Sequence, residues 1–163
     1  MKEFPHTLKI ATVWLLVGVV VFLGFRYFEH ERQRSSFTVT RTGVIEIRRG
    51  PDGHYHWPGT INGLAVDFLI DTGATSTAMS QAMARALSLE PQQRVRSHTA
   101  GGVVMGDLVR ADVVLQGGVR VERLAITALA GLDDRPLLGM DVLGRLRWQQ
   151  RDGVLAIHTE ASR

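Results

Sequence analysis

The sequence predicts an all-β fold: a small closed barrel with one or two short helices, preceded by an apolar N-terminal helix. Three observations predict it. From Gly43 onward, short strand-like runs alternate with glycine-rich turns. Only brief stretches carry a helical signal. An uncharged run from Ile10 to Phe25 stands apart from everything after it. At 163 residues the chain is long enough for one domain that buries its own core.

The N-terminal run, with Leu8 and the aromatic pair Tyr27-Phe28, approaches the ~20 residues that cross ~30 Å of hydrocarbon. A cleaved leader would end in a small-x-small site. Here Arg26-Tyr27-Phe28-Glu29-His30-Glu31-Arg32 follows instead, so residues 1–28 read as an uncleaved membrane anchor, with contact through residues 8–28. Lys2 and Lys9 precede the run, whereas Arg26, Arg32, Arg34 and Arg41 follow it, a local count that leans toward a cytoplasmic domain. Residues 29–42 are polar and aperiodic and read as a tether. Residues 43–163 form the globular domain.

Within that domain, Val44 to Arg48 is a first strand and Gly50-Pro51-Asp52-Gly53 a turn. His54 to Ile61 is a second strand, where Pro58 points to an edge or a bulge. Asn62-Gly63 is the favoured two-residue hairpin turn, and Leu64 to Ile70 returns. The pleat puts Val66, Phe68 and Ile70 on one face and Asp67, Leu69 and Asp71 on the other. Ser80 is an N-cap for a short helix, Gln81 to Leu87. Val95 to Thr99 and Val103 to Met105 flank a tip at Ala100-Gly101-Gly102. Leu108 to Leu115 and Val119 to Val121 form another hairpin, followed by a strand over Leu124 to Leu129. Leu137-Leu138-Gly139 precedes a one-turn helix, Asp141 to Leu146, and Val154 to His158 is the last strand.

Composition narrows the chemistry. Cysteine is absent, which removes disulfides, thiolate zinc sites and thiol catalysis. The net charge of +3 comes from scattered arginines, with Lys2 and Lys9 the only lysines, and no basic stripe with interleaved aromatics indicates nucleic acid. His54 and His56 lie one pleat apart, but no third metal ligand stands near them. Ser76, Ser80 and His98 lack a nucleophile-elbow motif. Trp57 and Trp148 read as packing residues, and Asp67 as a solvated or paired surface acid. No metal or cofactor is expected.

The informative stretch is Phe68-Leu69-Ile70-Asp71-Thr72-Gly73-Ala74-Thr75-Ser76. An apolar strand runs straight into a carboxylate, and Gly73 lets the backbone turn tightly behind it. Gly53-His54, Ile61-Asn62-Gly63, Phe68 to Ala74 and Leu137 to Leu143, in that order, resemble the bacterial membrane-anchored, retropepsin-like aspartic proteases. The likeness runs from about Gly53 to Ile157. It implies a single acid-protease lobe in which Asp71 is the catalytic carboxylate and Thr72 braces the dyad against a partner chain. Gly73 belongs to the same catalytic turn and, with Ala74, would line the peptide cleft; Thr75 would also contact substrate. Ala100, Gly101 and Gly102 would be the tip of a flap closing over a polypeptide. The chain departs from the retroviral pattern at two places: Thr75 and Met140 stand where an acid and an arginine commonly pair. Both partners are replaced together, leaving no orphaned charge.

Peptide hydrolysis by carboxylates needs one to take a proton from water and another, protonated, to polarise the carbonyl. This chain has one Asp-Thr-Gly, and Asp107, Asp112, Asp133, Asp134, Asp141 and Asp152 all lack the following Thr/Ser-Gly. The second aspartate is therefore expected from another copy across a twofold axis, a homodimer. The resemblance also implies a bacterial inner-membrane location with the domain in the periplasm, against the local charge count. The alternative is the same barrel as a non-catalytic envelope module that binds peptides or partners.

Overall fold

The computed structural model describes residues 12–24, 37–39, 43–99 and 101–159. The chain divides into two compact units, residues 1–35 and 36–163. In the first, residues 12–24 form helix α1 with its side chains exposed. At 1.5 Å per residue this stretch is about 20 Å long, against ~30 Å of hydrocarbon. Among the described residues no helix is long and apolar enough to cross a membrane. Residues 8–11 and 25–28 of the expected span lie outside the described residues.

The second unit is built almost wholly of strands. Strands β1 (Phe37–Val39), β2 (Val44–Arg48), β10 (Arg147–Arg151) and β11 (Val154–His158) form an antiparallel sheet in the order β1-β2-β11-β10. Strand β1 falls inside the stretch that reads as a tether. Strands β3 (His56–Ile61), β4 (Leu64–Ile70), β5 (Ala78–Ser80), β6 (Gln93–Thr99), β7 (Gly102–Leu115), β8 (Arg120–Leu129) and β9 (Leu137–Leu138) make the second sheet, ordered β3-β4-β9-β5-β8-β7-β6. Gly59, Thr60 and Ile61 of β3 also pair with Leu115, Val114 and Val113 of β7, so the sheet closes into the expected barrel. Pro58 sits just where that second pairing stops, which spares a ladder bond its missing N–H.

Two expected hairpins prove to be one continuous meander. Strand β7 runs unbroken for 14 residues and pairs with β6 on one side and β8 on the other. The expected runs Val119 to Val121 and Leu124 to Leu129 likewise fall along the single strand β8, which begins at Arg120. A register shift between Ala111 and Val113 absorbs the irregularity, with Arg123 opposite it at φ 48°. Ser80 caps helix α2 (Gln81–Ala86) as expected, its Oγ accepting from Met83 N at 3.1 Å. The helix expected over Asp141 to Leu146 starts and ends earlier, as α3 (Met140–Leu143).

Alternation places the core. Ile45 and Ile47 of β2, Leu155 and Ile157 of β11, Trp57 and Ile61 of β3, and Phe68 and Ile70 of β4 join Met79, Ile126, Leu138 and Leu143 in one apolar cluster. Each large side chain so buried contributes roughly 1.5–3 kcal/mol. Trp57 is fully buried and donates Nε1–H to Gln116 O at 2.8 Å, so its one polar atom is satisfied. Trp148 is partly buried and donates to Leu143 O at 3.2 Å. Both tryptophans are packing residues, as their positions in the sequence imply.

Candidate active site

Strands β4 and β5 lie on either side of β9: Leu69 and Ile70 pair with Leu137 and Leu138 in parallel, and Ala78 pairs with Leu137 from the other side. The connection, residues 71–77, must therefore cross the end of β9. Asp71 is the first residue of that crossing. Its N–H donates to Leu138 O at 3.0 Å, and the preceding Ile70 N–H donates to Tyr55 O at 3.0 Å. The end of β9 and the residue that leads into β3 thus hold the backbone that delivers the carboxylate.

The turn organises the carboxylate itself. Gly73 N–H donates to Asp71 Oδ1 at 2.9 Å, and Ala74 N–H donates to Asp71 O at 3.3 Å. A Cβ at position 73 would lie 3.2 Å from Asp71 Oδ1, so glycine lets the amide approach the acid closely. Asp71 is half-buried, and Thr72 and Gly73 are exposed. One carboxylate oxygen is held by the turn and the other, Oδ2, is left without a protein hydrogen-bond partner among the described residues.

Beneath the turn lies a brace built from two residues far apart in the sequence. Thr77 is fully buried; its Oγ1–H donates to Asp141 Oδ1 at 2.8 Å and its N–H to Asp141 Oδ2 at 3.0 Å. Thr77 Oγ1 in turn accepts from Gly139 N at 3.2 Å, and Asp141 Oδ1 also accepts from Val142 N at 3.0 Å. Met140 N–H donates to Ala74 O at 2.9 Å, Asp141 N–H to Thr75 O at 3.2 Å, and Thr127 N–H to Thr77 O at 3.0 Å. The segments carrying Thr75 and Met140, which lack the acid–arginine pair, are thus joined by backbone bonds and the Asp141 carboxylate. The local signal for this brace was an acid in the first turn of a helix directly after an apolar-apolar-glycine run.

Gly139 is where the two segments touch. An added Cβ would meet Ser76 C at 2.5 Å, Ser76 O at 2.7 Å and Thr77 N at 2.9 Å, all backbone atoms. Its φ of −91° suits any residue, so the constraint is contact and not conformation. Gly139→Ala is expected to lower stability by about 1–3 kcal/mol through overpacking, read as a reduced urea midpoint at unchanged slope.

The flap residues occupy a separate element. Gly101 and Gly102 are exposed at the tip of the β6–β7 hairpin, with Gly102 at φ 111° and Thr99 Oγ1 donating to Gly102 O at 2.8 Å. Ala100 lies outside the described residues. Among the described residues no hydrogen bond joins this tip to the Asp71 turn, whereas Asp71, Gly73, Ala74 and Thr75 come together in one.

Other acids are engaged elsewhere. Asp107 lies 3.7 Å from Arg94 Nε, and Asp112 Oδ1 accepts from Arg123 N at 2.7 Å. Asp67 faces His56 at 3.2 Å, and Asp52 faces the same ring at 2.8 Å. Asp67 is thus the paired surface acid that the pleat implies. Among the described residues no group of three or more His, Cys, Asp or Glu could hold a metal ion. Among the described residues no hydrogen bond or ion pair joins a second carboxylate to Asp71.

Comparison with known proteins identifies the family and the fold. Residues 57–145 match the family described as "gag-polyprotein putative aspartyl protease". An uncharacterized protein of Rickettsia prowazekii (strain Madrid E) is 26% identical over 171 residues, covering 96% of this chain and 73% of the relative. A second, from the region 5′ of cobV in a Sinorhizobium species, is 26% identical over 166 residues, covering 91% and 71%. The crystal structure of a retropepsin-like aspartic protease from Rickettsia conorii superposes with a TM-score of 0.56 at 23% identity, covering 70% of this chain and 88% of that one. The match spans the β3–α3 region that holds the Asp71 turn, its brace and the hairpin: the chain belongs to the gag-type aspartyl protease family and has the retropepsin-like fold.

Proposed function

We propose that this protein is an aspartic endopeptidase whose active site is completed by two copies of the chain, each contributing Asp71. The observation that carries the proposal is the half-buried Asp71 carboxylate, one oxygen held by Gly73 N–H and the other without a protein partner among the described residues, in a chain with a single Asp-Thr-Gly. Two carboxylates brought together across a twofold axis cannot easily both ionise, so they hold one proton between them, and their titration belongs to the pair. The ionised member takes a proton from the attacking water while the protonated member polarises the scissile carbonyl. Thr72, exposed beside the acid, braces the partner turn. Gly73, Ala74 and Thr75 offer backbone groups to an extended peptide, and the Ala100-Gly101-Gly102 tip closes over it.

The apolar stretch at 8–28 is proposed to tether this domain to a bacterial inner membrane, with the domain in the periplasm. Tethering raises the local concentration of partners and favours a weak dimer. A compartment-sensitive reporter fused after Arg163 reads the topology: signal on the periplasmic side is expected, and signal confined to the cytoplasm would reverse the assignment. For the activity, the full-length protein in detergent is expected to cleave an unfolded protein substrate between acidic and neutral pH. A folded protein that binds peptide but cleaves none at any pH would make this a binding module instead.

A further inference from the structure

Four charged or titratable groups from separate parts of the chain meet beside β4. Asp52 comes from the turn at 50–53, His56 from the start of β3, Asp67 from β4, and Arg135 from the loop that feeds β9. His56 Nε2 lies 2.8 Å from Asp52 Oδ2, His56 Nδ1 lies 3.2 Å from Asp67 Oδ2, and Arg135 Nη1 lies 3.4 Å from Asp52 Oδ2. The His56 side chain is only 16% exposed. Nδ1 is buried and has no aligned hydrogen bond despite its proximity to Asp67.

This arrangement counts protons. Ionised carboxylates only accept, and a neutral imidazole has a single N–H to give. With both acids ionised and the ring neutral, one ring lone pair must face a carboxylate oxygen. One additional proton, on His56 or on Asp67, removes that conflict. Burial, the largest influence on Asp67, pushes its carboxyl above the usual range; Asp52 adds to this, while His56 and Arg135 oppose it. Asp52 goes the other way. Its burial would raise it, but the His54 N–H, the bond to His56 and the charges of His56 and His54 together hold it below the usual range. The remaining charged neighbour in the turn, Arg49, is bound to Gly53 O at 2.6 Å.

The cluster is wired to the active-site turn. Asp67 lies on β4 and Asp71 directly follows its last residue, on the same side by the strand's two-residue period and about 13 Å further along. Arg135 directly precedes Pro136, whose carbonyl accepts Leu69 N–H at 2.9 Å, and two residues later Leu138 O accepts Asp71 N–H at 3.0 Å. We infer that Asp52, His56, Asp67 and Arg135 form a one-proton latch that positions the Asp71 turn, closed while the His56–Asp67 pair holds its proton and loosened when the pair loses it. These are positioning residues. The inference rests on the peptidase reading only for its effect on catalysis.

The sign follows from the two shifts. Asp67, raised in the folded protein, contributes stability that is complete below the ordinary carboxylate pKa and lost as pH rises through its raised value. Asp52, lowered, contributes stability that is present above the ordinary value and lost as pH falls through its depressed one. The latch is therefore tightest between the depressed Asp52 value and the raised Asp67 value, and loosens as pH rises through the latter.

Thermal melting of the full-length protein in detergent, followed from acidic pH up through neutrality, tests this. The wild-type midpoint is expected to fall by several degrees as pH rises. His56→Gln, whose amide donates to a carboxylate at every pH, and Asp67→Asn, whose amide can donate to a neutral ring or accept from a protonated one, are each expected to flatten that fall. Asp67→Asn still reads the latch if His56→Gln does not fold. Identical pH profiles for wild type and variants would overturn the latch and leave the peptidase reading standing. A flattened profile in a protein that cleaves nothing would support the latch and remove the peptidase reading.

Discussion

Asp71→Asn is expected to lower peptide cleavage by about 10²–10⁴-fold, the contribution of a positioned acid–base group, with the fold intact. The geometry separates the two effects. An asparagine keeps an Oδ1 that accepts from Gly73 N–H, now at 2.9 Å, and the backbone bond from position 71 to Leu138 O involves no side chain. The turn therefore survives, but its side chain can no longer take a proton from water. Initial rates on an unfolded protein substrate, with melting curves of the same preparations, measure both. Cleavage unaffected by the substitution would sink the proposed mechanism.

Asp141→Ala is expected to be the most damaging change to the scaffold. It removes the acceptor for Thr77 Oγ1–H, Thr77 N–H and Val142 N–H together, and Thr77 is fully buried. Hydrogen bonds to a charged group contribute roughly 1.5–3 kcal/mol each, and a buried donor left unsatisfied costs a similar amount. A loss of about 3–5 kcal/mol is expected, a large share of the ~5–15 kcal/mol that holds a domain folded. Asp141→Asn should be milder, since one oxygen still accepts while its amide faces a donor. Chemical denaturation of the three proteins checks this order; equal midpoints for wild type and Asp141→Ala would mean that the brace does not hold the turn.

Much of this site was legible because its signals are local. The strand Leu64–Ile70 is bounded by Asn62-Gly63, which turns with φ of 48° and 86°, and its two-residue period delivers Asp71 to the strand end. The Ser80 cap is likewise a matter of three residues. The brace was not legible in the same way: Thr77 and Asp141 lie 64 residues apart, and no period links them. Strands β5 and β9 carry no periodicity, being only three and two residues long. Strand β10, Arg-Trp-Gln-Gln-Arg, lies at a sheet edge with mostly exposed side chains and so lacks an apolar signature.

The sequence pattern of β7 breaks in two for a more particular reason. Gly106 interrupts the apolar run and resembles the end of a strand. A Cβ there would meet Leu129 Cδ2 at 2.7 Å and Ala128 O at 2.8 Å, so this glycine lets β7 lie close against β8. Close approach and turning draw on the same residue type, and only the tertiary partner distinguishes them. Barrel closure was inferred from the number of strands and turns; the pairing that achieves it, β3 with β7, joins segments about fifty residues apart.

The central claim is that Asp71 is half of an active site, and subunit mixing tests it most directly. Wild-type and Asp71→Asn chains are refolded together at fixed total concentration and varied ratio, and initial cleavage rates are recorded. If each site needs an aspartate from both chains, activity follows the square of the wild-type fraction, about a quarter of full activity in an equal mixture. Activity falling in simple proportion, to about half in the equal mixture, would mean that one chain carries a complete site and would contradict the account.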